Sequence, residues 1–159
     1  MSLGRVVQVC FSSHGGVPKR PIARGEVTPL GIVGDSWAHP QIHGGPRQAL
    51  LIVAAEALEQ VSAQGFSLYP GALGENLTVA GLTPRAWRPG QRYRAGGVTL
   101  ELTKLRWPCD TLSVYGLGIQ AALYGGSDPS SPRWALGGFY AAVVEPGSVA
   151  AGDPVTLVG

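Results

Sequence analysis

The sequence predicts a mainly β domain, a closed β-barrel with a few peripheral α-helices, on three observations. Short β-branched and apolar runs recur along the chain, such as Arg5 to Phe11 (RVVQVCF) and Val98 to Leu105 (VTLELTKL). Turn formers separate them: 24 glycines and 13 prolines make up almost a quarter of the 159 residues, where average usage is roughly 12%. They follow no fixed period, which excludes a collagen-like repeat. Only one segment carries a sustained helical period. Many short strands joined by tight turns describe a sheet that closes on itself and so removes its edges.

The elements follow in chain order. Arg5 to Phe11 reads as the first strand and ends in the polar, glycine-rich Ser12 to Gly16. Lys19 and Arg20 come next, between Pro18 and Pro21. Ile22 to Thr28 is a second strand, weakened by Gly25. Pro29 to Pro46 is a long irregular stretch holding His39 and His43, and loops of that length in compact domains are commonly functional. Ala49 to Gln64 predicts the helix, a lid on the sheet. Leu50, Val53, Ala54, Ala57, Leu58 and Val61 recur at steps of three and four, with Gly65 as C-cap. Leu77 to Val79 and Gln91 to Arg94 are short strands. Val98, Leu100 and Leu102 alternate with Thr99, Glu101 and Thr103 in a half-buried strand. Leu112 to Tyr124 reads as a short helix and Ser127 to Pro132 as an exposed loop. Phe139 to Val144 and Val155 to Val158 close the chain as a strand pair around a Pro146-Gly147 turn.

Length and charge narrow the function classes. A chain of 159 residues is the size of one domain, 1–159, without room for two full cores. A net charge of +2 is too weak for a nucleic-acid partner. The longest apolar run, Ala49 to Ala55, falls far short of a membrane span. The N-terminal residues lack a secretion-signal pattern, so a cytoplasmic location and no membrane partner are expected. In that compartment the two cysteines, Cys10 and Cys109, are expected as free thiols.

Three clusters carry candidate chemistry. The first runs Gly34-Asp35, His39-Pro40 and His43-Gly44-Gly45-Pro46-Arg47. Its histidines form a possible zinc pair, with Asp35 or Cys109 as further ligands, but Pro40 and Gly44 break the helix that would align them. Its glycines before a helix suggest an anion site. The second is Gly71-Ala72-Leu73-Gly74-Glu75-Asn76, where a carboxylate and an amide either meet a ligand or satisfy the loop's own backbone. The third is Arg106-Trp107-Pro108-Cys109-Asp110. A guanidinium near Cys109 favours the thiolate, which is both nucleophile and metal ligand, while Asp110 opposes it. Cys10, inside an apolar strand, reads as an inert core residue.

Taken together and in order, these segments resemble the MOSC domain, the C-terminal module of molybdenum-cofactor sulfurases, which also occurs as small stand-alone bacterial proteins. The resemblance rests on Pro18-Lys19-Arg20, Gly34-Asp35, His43-Gly44-Gly45, Gly74-Glu75-Asn76-Leu77, Pro108-Cys109, Phe139-Tyr140-Ala141 and Gly152-Asp153. It implies a β-barrel of pyruvate-kinase type and a molybdenum cofactor (molybdopterin) with Cys109 as catalytic residue and metal ligand. A soft thiolate suits that role. It further implies Lys19, Arg20, His43, Arg47, Arg106 and Arg133 around the cofactor's phosphate, with Asn76 on the pterin edge. Two places depart from the family pattern. Gln48 stands where a basic residue is usual, and Arg133-Trp134 is separated from Phe139-Tyr140-Ala141.

The activity expected from this resemblance is reduction of a small N-hydroxylated compound, with electrons from a flavin or iron–sulfur protein acting as redox partner. The alternative is a sulfur carrier, with a Cys109 persulfide loaded by a separate cysteine desulfurase. The chain is too short for a pyridoxal phosphate site of its own. A second alternative, from a different class, is a non-catalytic module for an anionic ligand.

Overall fold

The computed structural model describes residues 3–36 and 45–159. It contains β1 (Gly4–Phe11), β2 (Arg20–Ile22), β3 (Arg24–Thr28), β4 (Gly31–Ile32), β5 (Leu50–Ala54), α1 (Ala55–Ser62), β6 (Leu77–Ala80), β7 (Arg92–Ala95), β8 (Val98–Leu105), α2 (Ile119–Leu123), β9 (Phe139–Glu145), β10 (Gly147–Ala150) and β11 (Pro154–Leu157). Single 3-10 turns lie at Pro46–Gln48, Pro84–Ala86 and Asp110–Tyr115.

Seven strands close a barrel in the order β11-β7-β8-β9-β5-β6-β1, and β1 meets β11 through Gly4 opposite Val155. β2 extends β1 outside the ring, and β10, β3 and β4 form a second small sheet. The fold class is therefore the one expected. Interior positions follow the strand period of two. Ile52, Leu77, Val79, Tyr93, Leu100, Leu102 and Val155 line the inside with Trp87 among them. Phe139 packs edge-on against both Trp87 and Trp134.

The principal correction concerns residues 49–64. The expected single helix is a strand followed by a helix, and the border falls between Ala54 and Ala55. All five residues of β5 are buried, held between β9 and β6. A strand covered on both faces reads as an unbroken apolar run, which periodicity cannot tell from a helix. β5 and β6 pair in parallel, Ile52 opposite Leu77. A parallel pair needs a crossover, and α1 lies within it.

Three smaller expectations also change. Ile22 to Thr28 divides at Ala23: β2 stays with β1, while β3 joins β10 and β4. β9 and β11 do not pair around Pro146-Gly147. β10 intervenes, β9 lies between β8 and β5, and β11 lies between β7 and β1. Leu112 to Tyr124 is a 3-10 turn followed by the five-residue α2, interrupted at Gly116 and Gly118, both at positive φ.

Candidate functional site

The barrel carries one pocket where several sequence candidates converge. Its cavity volume is about 30 Å³, and its walls include Lys19, Leu51, Leu73, Gly74, Arg106, Cys109, Thr111 and Tyr140. Five separate segments build it, with Leu51 of β5 among them. Arg106 and Cys109 sit just beyond the end of β8, Tyr140 lies on β9, Leu73 and Gly74 belong to the turn before β6, and Lys19 precedes β2.

Cys109 is the partly exposed thiol of the two cysteines, and Cys10 is buried. Cys109 caps the 3-10 turn Asp110–Tyr115 from an extended backbone. Its Sγ lies 2.7 Å from Thr111 Oγ1. Burial pushes the Cys10 thiol up to about 11, although Gln8 Nε2 donates to its sulfur at 3.0 Å and opposes the shift. The two cysteines thus occupy chemically opposite environments, one facing a pocket and one in the core.

Arg106 is only 4% exposed. Its Nη1 donates to Gly137 O at 3.2 Å and its Nη2 to Leu73 O at 2.9 Å, while the buried Nε has no hydrogen-bond partner. A buried guanidinium with an unused donor, and neutral carbonyls as its partners, retains its positive field for an incoming acceptor. Tyr140 feels that charge: burial pushes its hydroxyl pKa up, Arg106 opposes the shift, and Cys109 adds to it. Lys19 is likewise buried, its ammonium 2.6 Å from Asp35 Oδ2. Burial lowers its pKa and the Asp35 carboxylate acts against that.

The turn from Gly71 to Asn76 shapes the pocket wall from behind. Gly71 and Gly74 both take positive φ, which glycine adopts without a steric penalty. Glu75 is fully buried and folds back on the turn. It accepts from Gly71 N at 3.0 Å, Leu73 N at 3.1 Å and Thr78 Oγ1 at 2.7 Å. Asn76 is also fully buried: its Oδ1 accepts from Leu51 N, and its Nδ2 donates to Cys10 O and to Asp35 Oδ2. Its amide is used up inside the fold, tying β1, β5 and the Asp35 segment together.

Of the described residues proposed around a cofactor, Lys19, Arg106 and Cys109 share this pocket. Arg20, Arg47 and Arg133 are exposed and are not among its lining residues. Arg47 approaches Glu101 at 3.6 Å, and Arg133 donates to Ala121 O at 2.6 Å. His39 and His43 lie outside the described residues. Asp35, a possible zinc ligand by sequence, instead accepts from Ser12 N, Lys19 Nζ and Asn76 Nδ2. Among the described residues there is no cluster of three or more His, Cys, Asp or Glu able to hold a metal, and no helix is long and apolar enough to cross a membrane. Thr111 and Tyr140 were not singled out as site residues by sequence. Thr111 carries a faint signal, standing two positions after Cys109, and Tyr140 stands within the Phe139-Tyr140-Ala141 segment of the family resemblance.

Comparison with known proteins agrees with this architecture. The family model described as MOSC domain matches residues 39–156. The protein YiiM of Escherichia coli is 30% identical over 136 residues, 83% of this chain and 58% of that protein. This chain thus spans little more than half the length of that relative. Among solved structures, YiiM from Geobacillus stearothermophilus superposes with a TM-score of 0.76 at 23% identity, covering 98% of this chain and 75% of that one. The YUAD protein from Bacillus subtilis gives 0.71 at 21% identity, covering 98% and 97%. These structural likenesses show a shared fold, and with the family match over most of its length they place the chain in the MOSC domain family.

Proposed function

We propose that residues 1–159 act as a single MOSC domain that binds a molybdenum cofactor in the Cys109 pocket, with Cys109 as sulfur ligand to the metal. The observation that carries the reading is the meeting of a pocket-facing thiol and a buried guanidinium with an unused donor, Cys109 and Arg106. The residues present fit the group. One soft thiolate is enough where the cofactor brings its own sulfur ligands, and no larger set of protein ligands is required. Arg106 offers positive charge to a phosphate-bearing anion, while Lys19, ion-paired to Asp35, lines the same pocket.

When bound, the cofactor supplies a metal centre able to exchange electron pairs and oxygen with a substrate. The chain's own residues hold and orient. The Thr111 hydroxyl fixes the Cys109 sulfur, and the Glu75-braced turn presents Leu73 O to Arg106. Tyr140 places a protonated hydroxyl at the same pocket. The proposed overall reaction is reduction of a small N-hydroxylated compound. An N–OH group, two electrons and two protons give N–H and water. A flavin or iron–sulfur redox partner in the cytoplasm supplies the electrons.

The test is molybdenum content after expression in cells that make the cofactor, comparing wild type with Cys109→Ala. Near-stoichiometric metal in wild type and loss in the folded variant are expected, followed by N–OH reductase activity with an artificial electron donor. No metal in either protein would overturn the reading. Cyanide-releasable sulfur on Cys109 in that case would assign the sulfur-carrier role instead.

A further inference from the structure

A second cleft adjoins the Cys109 pocket and shares Tyr140 with it. Its volume is about 380 Å³, and it is lined by Gln48, Lys104, Leu105, Trp107, Tyr124, Ser127 and Tyr140. Trp107, two residues before Cys109, stacks on Tyr124 with ring planes 16° apart and centroids at 6.1 Å, yet remains 75% exposed. Single exposed apolar residues are ordinary on protein surfaces. This one differs in three respects. Its plane is held by a second ring, it lines a cleft that shares Tyr140 with the thiol pocket, and a cation lines the same cleft. Lys104 Nζ sits 5.7 Å from the centre of the Tyr140 ring, so Tyr140 joins the cation to the pocket wall.

We infer that this cleft is a substrate subsite for a planar aromatic group bearing an acidic or strongly accepting substituent. Trp107 stacks the ring and Lys104 attracts the substituent. An indole already fixed by Tyr124 loses little freedom on stacking a further ring, so binding is pre-organised. Lys104 rejects planar cations of the same size. The inference names the substrate class for the proposed reductase, but the cleft is formed by protein residues and its binding does not depend on the metal.

The test is therefore made on the full chain without cofactor. Three probes are titrated: 2-naphthoate, the non-planar anion cyclohexanecarboxylate, and the planar cation 2-naphthylmethylamine. The Trp107 indole N–H, assigned with Trp107→Phe, is followed by proton–nitrogen correlation spectra. Saturable shifts of that resonance are expected with 2-naphthoate, at least fivefold tighter than with either other probe. Trp107→Ala should weaken binding about tenfold, and Lys104→Gln about two- to fivefold. An unmoved Trp107 resonance, or equal affinity for the non-planar anion, would overturn the inference. Naphthoate binding in a protein that takes up no molybdenum would retain the subsite and remove only the reductase reading.

Discussion

The Lys19 ammonium and the Asp35 carboxylate meet at 2.6 Å with their side chains 2% and 4% exposed. The same carboxylate also receives Ser12 N and Asn76 Nδ2, so one buried acid organises four segments behind the pocket. Removing it takes the ion-pair partner from a buried ammonium and the acceptor from two further donors. Asp35→Ala should cost about 3–5 kcal/mol in urea unfolding. Lys19→Met combined with Asp35→Ala should lose clearly less than the sum of the single changes, since the double variant buries no unpaired charge. Strict additivity would show that the pair is not coupled.

The two thiols should separate in reactivity. With its pKa pushed up to about 11 and no exposure, Cys10 is almost entirely protonated at pH 8 and out of reach of reagent. Iodoacetamide at that pH should label Cys109 first, read by peptide mass spectrometry, with Cys10 labelled only after denaturation. Cys109→Ser should leave a native protein with no fast-reacting thiol.

Glu75 gives the fold a pH dependence of definite sign. Full burial raises its pKa above the ordinary value of 4.5, against the hydrogen bonds from Thr78 and Gly71 and the charge of Arg106. The folded state therefore holds this proton at higher pH than the unfolded chain does. The contribution is fully present below about pH 4.5 and is lost as pH rises through the raised pKa. Glu75→Gln removes the titration. It also leaves one acceptor oxygen where two were in use, costing about 1–3 kcal/mol. The stability difference between wild type and variant, from urea midpoints between pH 4.5 and 8, should shrink as pH rises. A constant difference would contradict the assignment.

At Gly71 the constraint is steric. Its φ is +92°, and a Cβ there would overlap the Lys19 carbonyl oxygen and press on Cys10 Sγ. Gly71 O also accepts from Lys19 N at 2.9 Å, so the two backbones cannot move apart without losing that bond. Gly71→Ala should destabilise by about 3 kcal/mol or more. Gly65→Ala, at a positive φ with open space around it, should cost only about 1 kcal/mol. Thermal unfolding of the two variants side by side checks the contrast.

Much of this was legible in the residues. The alternation from Val98 to Leu105 states a strand with one face inward, and β8 spans those same residues. The density of glycine and proline between short apolar runs states a turn-rich barrel. The order of motifs from Pro18-Lys19-Arg20 to Gly152-Asp153 states the family. These are local properties, set by backbone sterics and side-chain period within a few residues.

Tertiary structure alone decided the rest, because the deciding partners are distant in the chain. Leu50 to Ala54 is a strand only because β9 and β6 pair with it along both edges. Glu75 and Asn76 turn inward because Gly71, Leu73, Leu51 and Cys10 present backbone groups that need partners once buried. Of the basic residues, Lys19 and Arg106 reach the Cys109 pocket while Arg20, Arg47 and Arg133 remain at the surface. Spacing along a chain identifies what chemistry a residue can perform; barrel closure determines which residues stand close enough to perform it together.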